Sequence, residues 1–155
     1  GAAEAASLTS LTPDERAALS WVESSTPAAS RFLVIPRSNW QTDKESEWFP
    51  TLTDRVSIAT VQGTEWLPSD AFSRQIAIHD YAAACAGQKA DCLEALSNIA
   101  GKPFDYVYLP SMVGSPCCSV LRGSMEESPN YERVYSGAGA IIFRYIPGPT
   151  YGPAG

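Results

Sequence analysis

The sequence predicts an α/β fold: a mostly parallel sheet, in two or three layers with helices on its faces, that ends in a C-terminal antiparallel hairpin. Helix-like and strand-like segments alternate along most of the chain. The first strand-like segment is a continuous apolar run, typical of a strand covered on both faces. Glycines between the last two strand-like segments indicate a hairpin turn. The 155 residues fit one domain, which we place at 8–147, with flexible ends at 1–7 and 148–155.

The N-terminal elements begin with a helix over residues 13–25. Thr12 can cap this helix, Pro13 suits its first position, and Glu15 completes a capping box. The apolar run 31–35 predicts the first strand, which Pro36 closes.

The central part of the chain is less regular. Residues 38–53 follow neither a helical nor a strand period, so we expect a long irregular crossover with one helical turn. Long ordered loops often carry function. The β-branched run 55–61 predicts a second strand that ends at Gln62 and Gly63.

The C-terminal half contains clearer signals. Helices are expected to begin at Ser69 and Asp91 and to end at Gly87 and Gly101, which makes them a helical hairpin. The remaining predicted elements are a third strand at 104–109, a short helix at 119–127 and hairpin strands at 131–135 and 140–146.

Charge limits the classes of partner. Only 18% of the residues are charged and the net charge is −6, without a basic run. Nucleic acid is therefore not expected as a partner, and anionic membrane surfaces are poor partners as well. No apolar run reaches the roughly 18 residues of a membrane span. The first residue is not Met, which suggests a fragment or a processed chain.

The four cysteines indicate a compartment. Cys85 ends one predicted helix and Cys92 begins the next, so a disulfide across the hairpin and an oxidising compartment are expected. Two reduced, buried thiols are the alternative. Cys117 and Cys118 would bond to each other through a strained ring or find separate partners. With one histidine and no Cys-x-x-Cys pair, no metal and no cofactor is predicted.

No catalytic residue can be assigned. His79, the single histidine, falls on an apolar helix face and is expected to be a core or edge residue whose ring nitrogens have hydrogen-bond partners. Asp43, Glu45, Glu47 and Glu65 could supply two converging carboxylates for acid/base hydrolysis. The alternative is a solvated charged loop.

Two Glu-Trp pairs flank the predicted second strand. Each offers a carboxylate for sugar hydroxyls beside an indole plane for the C–H side of a sugar ring. The alternative is that both tryptophans are core or rim packing residues and that Arg55 pairs locally with Asp54 or a glutamate. The predicted ligand-binding residues are Glu47, Trp48, Arg55, Gln62, Glu65 and Trp66.

A family resemblance rests on the order of these elements and on short aromatic segments. The segments are Leu19-Ser20-Trp21-Val22, Glu47-Trp48-Phe49-Pro50, Thr53-Asp54-Arg55, Asp105-Tyr106-Val107-Tyr108 and the hairpin 131–145. Over about 8–147 the chain resembles the C-terminal extracytoplasmic domain of polytopic bacterial membrane proteins related to GT-C class glycosyltransferases. That class transfers sugars from polyprenyl-phosphate donors, and its catalytic acids usually lie in loops of the membrane part.

The resemblance implies a soluble exported domain at the extracytoplasmic face of the cell membrane, non-catalytic in isolation. Its partners would be the transmembrane part of its own parent chain and an acceptor sugar or a polyprenyl-phosphate sugar. Whether the parent is an active glycosyltransferase stays open. The alternatives are a free-standing carbohydrate or small-ligand binding module and a thiol-disulfide protein that uses Cys117 and Cys118.

Overall fold

A computed structural model describes residues 11–37, 41, 43–111 and 117–148. The predicted end 1–7, and all of the predicted end 148–155 except Gly148, lie outside this part of the chain. The helices are α1 (Pro13–Ser25), α2 (Lys44–Thr53), α3 (Ser69–Cys85), α4 (Asp91–Ala100) and α5 (Ser119–Glu127). The strands are β1 (Arg31–Val34), β2 (Val56–Ser57), β3 (Tyr106–Pro110), β4 (Tyr131–Ser136) and β5 (Ala140–Tyr145).

The five strands form one sheet in the order β2-β1-β3-β5-β4. β1 runs parallel to β2 and β3, whereas β5 runs antiparallel to β3 and β4. The predicted α/β fold with a C-terminal hairpin is therefore confirmed. Because β2 and β3 lie on opposite sides of β1, the carboxyl ends of β1 and β3 form a topological switch point, where open α/β sheets commonly bind ligands.

Helices cover both faces of the sheet and bury two apolar clusters. Phe32 and Val34 of β1 pack in one cluster with residues of α1 and α2. Leu33 and Ile35 pack in the other, with residues of α3, α4 and α5. The molecule thus has three layers, and β1 is buried on both faces, as its continuous apolar run predicts.

Local signals place several helix ends correctly. Thr12 caps α1 by accepting a hydrogen bond from the backbone N–H of Glu15 at 3.1 Å. Gly101 follows α4 with φ of 63°, in the left-handed region that glycine tolerates best. His79 is 2% exposed, which confirms it as a core residue, but its buried Nε2 has no hydrogen-bond partner among the described residues.

The expected irregular crossover at 38–53 is wrong for its second half, which forms the ten-residue helix α2. Asp43 begins the helix by accepting a hydrogen bond from the N–H of Ser46 at 3.2 Å. Pro50 has no N–H for the carbonyl of Ser46, and the hydroxyl of Thr60 donates to that carbonyl instead, at 3.3 Å. A distant side chain therefore compensates for the proline inside the helix.

The expected second strand at 55–61 is also too long, because β2 contains only Val56 and Ser57. After Ile58 donates to the carbonyl of Phe32 at 3.0 Å, the chain leaves the sheet. Gln75 of α3 then donates to the carbonyls of Ile58 and Thr60, at 2.9 and 3.0 Å. A buried side chain thus replaces the missing strand partner.

The cysteines form two pairs. Cys85 and Cys92 are bonded across the turn between α3 and α4, with their Cα atoms 5.6 Å apart, which confirms the predicted bridge. Cys117 and Cys118 are bonded to each other, which is one of the two arrangements that the sequence leaves open.

Candidate functional site

A polar cleft of about 410 Å³ lies beside β2, the edge strand of the sheet. We call it the edge cleft. Of the eight described residues that line it, six are polar, and two of these six, Arg55 and Gln62, belong to the predicted ligand-binding set. The six polar residues are Asp54, Arg55, Ser57, Thr60, Gln62 and Thr64.

Arg55 forms a wall of the edge cleft and joins the ends of two helices. One Nη donates to the carbonyls of Glu23 and Thr26, both at 2.8 Å, and Nε donates to the hydroxyl of Thr26 at 3.1 Å. The other Nη donates to the carbonyls of Thr53 and Asp54, at 3.0 and 3.2 Å. These contacts use all five N–H donors of the guanidinium. Arg55 therefore shapes the cleft and offers no donor to a ligand.

The other polar groups of the cleft differ in how many of their hydrogen-bonding atoms already have partners within the protein. The side-chain amide of Gln62 donates to the carbonyl of Asp43 at 3.2 Å, and the hydroxyls of Ser57 and Thr60 lie 2.5 Å apart. Asp54 follows α2 with φ of 54° and is exposed. Its carboxylate is therefore the charged acceptor that the cleft presents to solvent.

Trp66 does not line the edge cleft itself; it follows the lining residue Thr64 by two positions, in a hydrogen-bonded turn. Thr64 N–H donates to the carbonyl of Val61 at 3.0 Å, and Gly63 has φ of 86°. The indole N–H of Trp66 donates to the carbonyl of Gly63 at 2.7 Å, while the carboxylate of Glu65 accepts from the N–H of Gly63 at 2.8 Å. Trp66 is 79% exposed. The turn thus presents an indole whose orientation is fixed but whose faces are open to solvent.

The other Glu-Trp pair lies in a different environment. Trp48 is partly buried against the cluster under α1 and α2, and its indole nitrogen is buried. Glu47 is half-exposed and lies 3.6 Å from Lys44. Neither residue lines the edge cleft. The packing alternative therefore describes Trp48, and the two Glu-Trp pairs do not form equivalent sites.

A second polar cluster lies at the carboxyl ends of β1 and β3; it contains Glu45, one of the carboxylates that the sequence offered for acid/base hydrolysis, together with Tyr108 and Arg37, which the sequence did not indicate. Glu45 is 1% exposed and accepts a hydrogen bond from the hydroxyl of Tyr108. Arg37 lies 3.5 Å from the carboxylates of both Glu45 and Glu15. Burial raises the pKa of Glu45 to about 8, against the lowering effect of Tyr108 and Arg37. Glu45 is therefore mostly neutral at pH 7.

Asp43 is the second buried carboxylate in this region, at 3% exposure. It accepts from the backbone N–H of Arg37 at 2.8 Å as well as from Ser46. The expectation of a solvated charged loop is thus wrong for Asp43 and Glu45, although Glu65 is exposed. Because both buried groups bond to other parts of the fold, their place here is structural: they hold α2 against the sheet.

Within the described residues, no group of three or more His, Cys, Asp or Glu side chains is placed to hold a metal ion. None of the helices in this part of the chain is both long and apolar enough to cross a membrane. Comparison with protein-family models, with curated proteins and with solved structures gives no match.

Proposed function

We propose that this chain is the exported domain of a membrane protein related to GT-C class glycosyltransferases, and that it binds sugar at the edge cleft without catalysing transfer by itself. The observation that carries the sugar-binding part is the exposed indole of Trp66, held by its bond to the carbonyl of Gly63. The family part rests on the sequence resemblance.

An exposed and fixed indole suits a sugar ring. Indole faces stack on the C–H side of a pyranose. An indole that is exposed in the free protein has the most apolar surface left to bury against such a ring. Because the indole is already held in place before the sugar binds, less conformational entropy is lost on binding. The exposed carboxylate of Asp54 supplies an acceptor for the sugar hydroxyls. The oxygens of Ser57 and Thr64 can also accept, because their own O–H groups donate to Thr60 and to the carbonyl of Val61.

A disulfide bond supports the proposed extracytoplasmic location. The bond between Cys85 and Cys92 is typical of proteins outside the reducing cytosol. It agrees with a position at the extracytoplasmic face of the cell membrane. There the transmembrane part of the parent chain would be the partner, and the ligand would be an acceptor sugar or the sugar of a polyprenyl-phosphate donor.

Titration of the purified chain with a panel of soluble oligosaccharides, followed by tryptophan fluorescence, tests the binding site. At least one sugar should bind, and Trp66→Ala should weaken it at least about tenfold because the stacking surface is lost. Trp48→Phe is the matched control, since Trp48 is partly buried against the cluster under α1 and α2, whereas Trp66 is exposed. Equal affinities of the wild type and Trp66→Ala would contradict the proposal.

The non-catalytic part has its own test. The purified chain is incubated with a polyprenyl-phosphate sugar and an acceptor, and products are separated by mass. Transfer or hydrolysis by the chain alone would overturn this part. The gene segment that encodes the residues before Gly1 separates the exported domain from a free-standing module: membrane spans favour the first, and a signal peptide alone favours the second.

A thiol-disulfide function is a second candidate, favoured by the bond between Cys117 and Cys118. Cys118 occupies the position before the first residue of α5 and is bonded to its neighbour Cys117. Mild reductant followed by an alkylating agent should then label both residues while the bond between Cys85 and Cys92 stays intact. Labelling of neither residue would remove this candidate.

A further inference from the structure

A second cavity, of about 580 Å³, lies between α3 and α4. We call it the α3–α4 groove. Leu96, 1% exposed, forms part of its floor, and Ile99, 74% exposed, stands at its margin. The other large apolar side chains along it are Leu67, Ile78 and Tyr81. A groove of this size and lining fits the usual range of small-molecule sites.

Among the described residues that line the groove, Arg74 and Lys102 are cations and none is a carboxylate. This local excess of positive charge contrasts with the net charge of −6 of the whole chain. Arg74 is exposed on α3 and Lys102 is partly buried just after α4. The groove therefore combines an apolar floor with a cationic margin.

Lys102 is held in place from below. Its ammonium group donates to Oε1 of Gln75 at 2.9 Å. Gln75 is 7% exposed and is itself fixed, because its amide nitrogen donates to the carbonyls of Ile58 and Thr60. An ammonium has three N–H donors, and Gln75 takes one in the described contacts. Lys102 is thus a positioned cation.

We propose that the α3–α4 groove binds an amphiphile with one alkyl or acyl chain and a single anionic head group, either phosphate or carboxylate. The alkyl or acyl chain of the ligand would lie along Ile78, Leu96 and Ile99. Its head group would pair with Lys102 and Arg74. Charge complementarity selects this occupant: a neutral amphiphile would leave the cations unused, and a free anion would leave the apolar floor in water. The site differs from the edge cleft and does not depend on sugar binding.

Calorimetric titration of the whole chain tests this proposal. Decyl phosphate, kept below its critical micelle concentration, should bind at one site per chain. Decanoate should compete with it. Decyl maltoside, which has a neutral head, and inorganic phosphate, which has no chain, should each bind at least about tenfold more weakly. Equal binding of decyl phosphate and decyl maltoside, or no binding of decyl phosphate, would overturn the proposal.

Variants locate the site. Arg74→Gln and Lys102→Met should each weaken decyl phosphate binding roughly tenfold. Ile99→Ser should also weaken it, because an apolar contact of the decyl group is lost. Lys89→Gln is the matched control, because Lys89 is exposed and outside the groove lining. Since Arg74 and Ile99 are exposed, their variants keep the fold. Asp54→Asn, in the edge cleft, should leave this binding unchanged, so failure here is distinct from failure of the sugar site.

Two other occupants would contradict the proposal. A stable dimer in sedimentation experiments that Ile99→Ser dissociates would assign the groove to a second copy of the chain. Binding to vesicles of anionic lipid, but not to monomeric decyl phosphate, would assign it to a membrane surface.

Discussion

The hydroxyl of Tyr108 in β3 donates a hydrogen bond to the carboxyl group of Glu45 in α2, 63 positions earlier in the sequence. This contact joins the centre of the sheet to the helix that precedes the edge cleft. Both side chains are buried, so the ionisation of Glu45 is coupled to the stability of the whole fold.

The first prediction concerns pH. The carboxyl group of Glu45 titrates near its ordinary pKa of 4.5 when unfolded and near 8 when folded. Between these values the folded chain keeps a proton that the unfolded chain releases, so this group makes the free energy of unfolding fall as pH rises, by at most ~1.4 kcal/mol per pH unit. Above about pH 8 its contribution is constant. Glu45→Gln cannot titrate and should remove this slope.

Urea unfolding of wild type and Glu45→Gln at pH 5, 6, 7 and 8 checks the difference. The variant should gain stability relative to wild type as pH rises. Glu47→Gln is the control, since Glu47 lies on the same helix but is half-exposed. Parallel pH profiles for wild type and Glu45→Gln would show that Glu45 is not buried as described.

The second prediction contrasts two glycines. A Cβ atom at Gly139 would lie 2.7 Å from the backbone nitrogen of Glu15 and closer still to the carbonyl of Asp14. Gly139→Ala should therefore destabilise by about 1–3 kcal/mol. A Cβ at Gly123, inside α5, meets nothing within 4 Å, so Gly123→Ala should stabilise by about 0.5–1 kcal/mol. Thermal unfolding measures both, and changes of the same sign would be inconsistent with the packing of the hairpin on α1.

The third prediction concerns the bridge between α3 and α4. The bond between Cys85 and Cys92 closes a loop with a sequence separation of 7. In the chain-entropy model its removal in Cys85→Ala/Cys92→Ala should cost about 2–3 kcal/mol. Cys117→Ala/Cys118→Ala is the control, because a bond between adjacent residues closes only a two-residue ring. Chemical unfolding under non-reducing conditions compares them. An equal loss in both double variants would argue against the loop mechanism.

The fourth prediction separates the structural role of Arg55 from a role in binding. Arg55→Lys keeps the charge but loses the planar arrangement of donors that serves the ends of α1 and α2. It should destabilise by about 1–3 kcal/mol. Arg74→Lys, on an exposed part of α3, should change stability by less than about 0.5 kcal/mol. If the two lysine variants unfold at the same urea concentration, the five contacts of Arg55 contribute no net stability.

Sequence reasoning succeeds where the signal is local. Thr12 and Gly101 mark helix ends because the capping groups lie within a few residues of the backbone atoms that they serve. The hairpin of β4 and β5 and the bridge between Cys85 and Cys92 are also set by neighbours in the chain.

Sequence reasoning fails where the hydrogen-bond partner comes from a residue that is distant in the sequence. Helix α2 tolerates Pro50 because Thr60 takes the released carbonyl, and β2 stops early because Gln75 of α3 takes the next carbonyls. The same holds for the candidate site. Trp66 and Trp48 follow glutamates in the same way, yet tertiary packing exposes the first and partly buries the second.

The most direct test of sugar binding at the edge cleft is an NMR titration that follows the indole N–H signals of the four tryptophans, with the Trp66 signal assigned from Trp66→Phe. A sugar that binds at the edge cleft should shift the signal of Trp66 saturably and leave that of Trp48 unchanged. If a sugar binds and shifts only the other indoles, or if no sugar in the panel shifts the signal of Trp66, the proposed site is wrong.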